Sequence, residues 1–261
     1  LDAIGINVNF VEGVGPIVNR PSDINKLKEL PNLLNEDKVL PCYKAIKNVK
    51  NNIKKPLIGF AAAPWTLAAY FIEGKITKDL AIVKKFSYEY PEEMDNLISL
   101  FTNLIIDHLK NQIKAGVDII QIFDTHAYQM DYFLHEKYSI NQLKKIAKEI
   151  RIEHKEIPIS FYTKSNLIFK NYNLEKSINC LSFNSNCEMN IAKNYFSDDL
   201  CFQGNLDPML LVVGGEFMKK ETLKILSSMK NRKFIFNLGH GILPQTPEKN
   251  VYELINIIKS Y

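Results

Sequence analysis

Two periodicities of apolar residues alternate along the chain from residue 56 onward. Short, nearly continuous apolar runs occupy residues 56–60, 117–123, 157–162, 178–183, 200–203 and 234–236, most of them rich in Ile, Val, Phe or Leu and each followed by a turn signal. Runs of that kind suit strands covered on both faces, as in a parallel sheet. Helical spacing lies between them. The clearest case opens at Pro91, with Glu92, Glu93 and Asp95 favouring the positive helix end. Met94, Leu97, Ile98, Phe101, Leu104, Ile105, Leu109 and Ile113 then recur on one face, and Gly116 is the expected stop. Further helices are expected over 142–154, 187–195, 215–229 and 248–261. The first fifty residues differ: Val11-Glu12-Gly13-Val14-Gly15-Pro16 reads as a loop, followed by a polar helix pattern.

Six strand-plus-helix units therefore fit between residues 56 and 261. A (β/α)₈ barrel needs eight units and typically about 250 residues. An open doubly wound sheet manages with six, but no G-x-G-x-x-G follows any of these strands. The residues leave two readings: an open α/β sheet without a dinucleotide, or a barrel whose first two units are missing from this chain.

Composition narrows the partners. At 46% hydrophobic and 24% charged residues the chain reads as globular, and its net charge of +4 comes without a dense basic cluster. Nucleic acid is disfavoured, whereas a polyanionic small molecule suits the balance. Arg20, Arg151 and Arg232 are the only arginines, so lysine carries nearly all the positive charge. Cys42, Cys180, Cys187 and Cys201 form no Cys-x-x-Cys pair and show no zinc spacing, which reads as reduced core thiols. The most apolar window, LIGFAAAPWTLAAYFIEG, is too short for a membrane span and contains Pro64.

The unusual residues gather after the strands. Ala63-Pro64-Trp65-Thr66 and Tyr70 follow the first, Asp124-Thr125-His126 ends the second, and Tyr162-Thr163-Lys164 the third. Asp207-Pro208 follows the fifth as a helix start, and Gly239-His240-Gly241 follows the last, its glycines read as permitting a tight turn around the histidine. Parallel strands put their C-terminal ends on one face, where barrel active sites are built. Taken singly, Trp65 and Tyr70 suit a core, His126 a core or capping site, Asp124 or Thr125 a helix cap, and His108, His135 and His154 the surface. Together they suggest a small-molecule enzyme. No G-x-S-x-G elbow and no carboxylate or cysteine at ligand spacing from His126 points to nucleophilic or metal chemistry.

At these residues the sequence resembles the uroporphyrinogen decarboxylase family. The segments GFAAAPWTLAAYFIEG, AGVDIIQIFDTHA, CFQGNLDPMLL and FIFNLGHGILPQTPEKNV carry the match, and LDAIGINVNFVEGVGP is similar to the family segment after its second barrel strand. The resemblance implies a distorted (β/α)₈ TIM barrel, a single domain over 1–261, with 1–55 a loop and helix region and 56–261 six β/α units. It implies a homodimer that uses no metal and no organic cofactor. The implied reaction removes the four acetate carboxyls of uroporphyrinogen III, giving coproporphyrinogen III and carbon dioxide in haem biosynthesis, in the cytoplasm or a plastid. By motif, Tyr70 would lie beside the reacting acetate, Phe60 against the tetrapyrrole, Thr125 on a carboxylate and His240 on a propionate. The family's Arg-Gln-Ala-Gly-Arg segment and its pyrrole-binding aspartate are absent from this sequence. On that ground residues 1–261 alone are expected to be inactive. The family's Leu-Asp-Trp-Thr run is here Leu181-Ser182-Phe183-Asn184. The alternatives are a barrel methyltransferase of corrinoid metabolism, which would carry a His-x-Cys zinc signature, and a non-catalytic tetrapyrrole-binding fragment.

Overall fold

The structure, a computed structural model, describes residues 1–11, 15–19, 24–170 and 173–261. They form two compact units, Leu1–Ile159 and Ser160–Tyr261.

The first unit opens with an antiparallel pair, β1 (Val8–Val11) and β2 (Gly15–Val18). Two flanks of the expected loop are thus strands, while its centre, residues 12–14, lies outside the described residues. Helix α1 (Glu36–Asn52) has Asn35 as its cap, accepting from the Asp37 N–H at 3.0 Å, and buries no residue. The polar pattern foretold that exposure. β3 (Ile58–Ala62) follows, then α2 (Pro64–Glu73), α3 (Ala81–Glu89), α4 (Pro91–Ala115) and β4 (Ile119–Asp124). Strands β3 and β4 pair in parallel, from Ile58 opposite Ile119 to Ala62 opposite Phe123. A short turn, α5 (Tyr132–Leu134), runs through the π-helical stretch His135–Ile140 into α6 (Asn141–Glu153).

Helix α4 behaves as its sequence dictates. Pro91 begins it, the anticipated apolar face is buried, and Gly116 ends it at φ 111°, its N–H reaching the Gln112 and Ile113 carbonyls. Helix α2 was concealed by its composition. It is buried nearly all round, so its apolar residues show no stripe. Pro64 starts it, and Gly74 ends it at φ 72°, donating to the Tyr70 carbonyl at 3.0 Å. Trp65, fully buried, lies 6.2 Å from the Tyr138 ring in a stacked pair, and its Nε1–H donates to the His126 carbonyl at 3.0 Å.

In the second unit β5 (Ile159–Thr163), β6 (Cys180–Phe183), β7 (Cys201–Leu206) and β8 (Phe234–Leu238) pair in that order, all parallel. Between and after them lie α7 (Met189–Ala192), α8 (Pro208–Val213), α9 (Gly215–Met229) and α10 (Glu248–Ser260). The helix expected over 187–195 shrinks to α7, because residues after Ala192 leave helical geometry. Leu206, Leu211, Met218 and Leu254 make the core beneath α8–α10. All four cysteines are unpaired; Cys180 is buried as expected, but Cys42 is exposed on α1. Among the described residues no helix is long and apolar enough to cross a membrane.

Candidate active site

The first unit carries Phe60 in the middle of β3, Tyr70 on α2 and Thr125 directly after β4. Buried Gln112 of α4 grips the Phe60 backbone from both sides, accepting from its N–H at 2.9 Å and donating to its carbonyl at 2.8 Å. Gly59 makes that approach possible, since a Cβ there would meet the Gln112 Oε1 at 2.5 Å. The backbone is fixed, yet the Phe60 ring is 62% exposed, touching Phe123 edge-on at 6.0 Å between centroids. An exposed ring on a backbone held at both its N–H and its carbonyl is suited to an apolar ligand face.

Tyr70 lies half-buried on α2, its ring edge-on to His126 at 4.9 Å. Burial, and secondarily the nearby Tyr128, pushes its phenol above the ordinary value. Tyr70 is therefore a neutral hydroxyl at physiological pH, a hydrogen-bond donor and not an anion. Thr66, one helical turn earlier, donates its hydroxyl to Asp124 Oδ1 at 2.8 Å and accepts from the His126 N–H at 3.3 Å. Ser139 donates to the other Asp124 oxygen. Asp124 is wholly buried, and desolvation pushes its carboxyl up to about 6 against the opposing pull of the Ser139 and Thr66 hydrogen bonds. It is thus no helix cap but the acceptor of two side-chain hydroxyls. Thr125, half-buried, sits between Asp124 and His126.

His126 is buried, in keeping with one of its expected settings. The expected surface position of His135 is overturned: it is fully buried, and desolvation takes its imidazole down to about 4. The π-helical stretch turns that residue inward, which a sequence read as regular helix does not show.

The second unit gathers Tyr162, Lys164 and His240. The Tyr162 hydroxyl donates to the Gly239 carbonyl at 3.1 Å, and its ring stands edge-on to His240 at 6.4 Å. The Gly241 N–H donates to His240 Nδ1 at 2.7 Å. Nδ1 is therefore the acceptor, so the neutral ring carries its proton on Nε2 and offers that N–H outward. Burial and then the Lys164 charge hold the His240 imidazole below its usual value. Half-buried Lys164 is itself lowered by desolvation. A cation pressing on an N–H donor makes a locally positive corner fit for a carboxylate.

The glycines of Gly239-His240-Gly241 work differently from the tight turn expected. Neither has a positive φ. An added Cβ at Gly239 would run into the Ser185 backbone nitrogen and hydroxyl and meet its Cα at 2.8 Å, whereas Gly241 faces open space. Close approach, not turn geometry, accounts for Gly239. Asp207 does cap as read, accepting from the Met209 N–H at 2.8 Å. In the departure at Leu181-Ser182-Phe183-Asn184, Phe183 packs into an aromatic cluster, 4.7 Å from Phe202, and Ser182 accepts from Gln203 Nε2 at 2.9 Å. Those side chains are engaged in packing. From sequence, Tyr162 and Lys164 stand at a strand end among groups suited to bind a substrate, without a specific role, and Asp124 or Thr125 reads as a helix cap.

Among the described residues no group of three or more His, Cys, Asp and Glu side chains is arranged to hold a metal ion. The family model described as "Uroporphyrinogen decarboxylase (URO-D)" matches residues 1–261, spanning both units. A uroporphyrinogen decarboxylase of Wolbachia pipientis wMel is 37% identical over 263 residues, covering 100% of this chain and 76% of the relative. One from Rickettsia bellii is 37% identical over 262 residues, covering 99% and 76%. Among solved structures, a methyltransferase from Methanosarcina mazei superposes with a TM-score of 0.78 at 19% identity, over 99% of this chain and 76% of that one. That likeness concerns fold alone, the parallel α/β architecture of barrel methyltransferases. Family match and whole-chain identity agree where the fold likeness is silent about chemistry: the chain belongs to the uroporphyrinogen decarboxylase family.

Proposed function

We propose that this chain decarboxylates the acetate side chains of uroporphyrinogen III in haem biosynthesis, yielding coproporphyrinogen III and carbon dioxide. The observation that carries the reading is the family match across residues 1–261. The chemistry needs a place to put two electrons when each carboxylate leaves as carbon dioxide. The substrate supplies it: protonating the pyrrole carbon beside the acetate arm gives a cationic ring that accepts them. Loss of carbon dioxide leaves an exocyclic methylene. A second proton added there makes the methyl group, and loss of the first proton from the ring carbon restores the pyrrole, so each acetate takes up one proton net. No added cofactor is called for, and the protein's tasks are to bind, orient and manage protons.

Each site residue takes a part suited to its setting. Phe60 packs its exposed ring on the tetrapyrrole face. Tyr70, kept protonated by burial, donates to the reacting acetate. Thr125 hydrogen-bonds a carboxylate. His240 donates from Nε2 to a propionate, with Lys164 adding charge that a carboxylate neutralises. The working form is a homodimer in a soluble compartment, the cytoplasm or a plastid. The corrinoid methyltransferase alternative draws on fold likeness only. To test the reading, protein expressed from the complete reading frame is incubated with uroporphyrinogen III under reducing conditions and the porphyrins are separated by carboxyl number. A descending ladder ending at the tetracarboxylate is expected; unchanged octacarboxylate refutes the proposal.

A further inference from the structure

Asp124 is a carboxylate in the interior of the first unit, and the groups that meet it are hydroxyls, not cations. Burial of that kind costs stability, offset only in part by the two hydroxyl hydrogen bonds. The geometry is specific. Thr66 Oγ1 donates to Asp124 Oδ1 at 2.8 Å while accepting from the His126 N–H at 3.3 Å, so one hydroxyl ties α2 both to the last residue of β4 and to the second residue beyond it. Tyr70 lies four residues beyond Thr66, on the same face of α2, and its ring closes the circuit by packing on His126 at 4.9 Å. Thr125 is held between the two tethered residues. From the other side, Ser139 of the π-helical stretch takes the second Asp124 oxygen, and its neighbour Tyr138 stacks on Trp65, whose indole N–H holds the His126 carbonyl at 3.0 Å.

We infer that Asp124 is a positioning residue that, through Thr66 and Ser139, sets the placement of the Tyr70 phenol relative to Thr125. The inference rests on the decarboxylase reading for its catalytic consequence, but its structural content stands apart. Asp124, wholly buried, presents no surface to a substrate. It acts by fixing the rotation of α2 against the end of β4, and misplacing a reacting group by a small distance is costly to turnover while leaving binding energy largely intact.

The test uses Asp124→Asn, Thr66→Val and Thr66→Ser in protein from the complete reading frame, each also combined with Tyr70→Phe. Asp124→Asn and Thr66→Val are expected to lower kcat about tenfold or more with KM within about threefold, and Thr66→Ser, which keeps the hydroxyl, to stay near the parent. In the Tyr70→Phe background Asp124→Asn should add little, because the group it positions is gone. A second readout needs no substrate: the His126 ring-proton resonances carry the ring current of Tyr70 and should move in Asp124→Asn and Thr66→Val but not in Thr66→Ser. Full activity, or losses that add independently of Tyr70→Phe, overturns the inference. Unmoved His126 resonances overturn it as well. If the parent itself fails to turn over uroporphyrinogen, the decarboxylase reading falls, and the His126 shifts alone decide whether Asp124 positions Tyr70.

Discussion

Replacing Asp124 with asparagine should flatten the dependence of stability on pH, and the size of the effect follows from the burial of its carboxyl. Folding raises that carboxyl from 3.8 to about 6. A shift of roughly 2 units at 1.36 kcal/mol each is about 3 kcal/mol. The sign follows from the direction. A raised carboxyl means the folded state favours the neutral acid, so the stabilisation is fully present below about pH 4 and is lost as pH rises through 6. Asparagine is neutral throughout and suffers no such loss. Its amide nitrogen cannot accept a hydrogen bond, so it cannot receive both Thr66 and Ser139 as the carboxylate does, a cost that does not vary with pH and drops out of the slope. The stability of Asp124→Asn minus that of the parent should therefore grow by about 3 kcal/mol between pH 4 and pH 7, or roughly 5–10 °C in Tm for a chain of this size. Urea unfolding of both proteins, followed by circular dichroism across that range, reads the difference directly. Other titrating groups, His135 included, are common to both and cancel. A gap that stays constant with pH would refute the argument that desolvation governs Asp124.

The other expectations concern the strand ends. Gly239→Ala should destabilise by roughly 1–3 kcal/mol through its collision with Ser185, while Gly241→Ala, facing open space, should stay within about 0.5 kcal/mol; thermal unfolding of the pair separates close approach from turn geometry. His240→Asn should raise KM for uroporphyrinogen more than it lowers kcat, and an unchanged KM with a collapsed kcat would reassign the residue to bond making. Lys164→Met should raise the His240 pKa, seen by NMR titration, because it removes the positive charge that helps depress it. Tyr70→Phe should lower kcat with KM little changed, and normal turnover would make Tyr70 structural.

What the sequence disclosed, and what it hid, follows from how each element is buried. The six parallel strands were legible as continuous apolar runs, their observed bounds shifted by only a few residues. Burial of both faces accounts for those runs in β5–β7, whereas β3 and β8 leave alternate residues such as Phe60 and Ile235 exposed. Helix α4 was legible because one face meets the core and the other meets water, with Pro91 and Gly116 marking its ends. Helix α2 was not, because a helix buried all round has no stripe. The β1–β2 pair was missed because its strands are short and largely unburied on one side, leaving only the glycine-rich turn signal. The candidate site was legible as polar residues after strands, and Phe60, Tyr70, Thr125 and His240 entered through the family resemblance. The network around Asp124 was hidden because its partners, Thr66 and Ser139, are separated from it by 58 and 15 residues, and no local pattern couples them. The tautomer of His240 was hidden too, since it depends on the direction of a backbone N–H one residue away.

Counting the carbon dioxide released from uroporphyrinogen III labelled in its acetate carboxyls tests the proposed reaction at the bonds it breaks. With protein from the complete reading frame, four labelled molecules of carbon dioxide per ring should appear alongside coproporphyrinogen III, with no label lost when the propionate carboxyls carry it instead. Label retained in the acetates after incubation, or released from the propionates, would contradict the account.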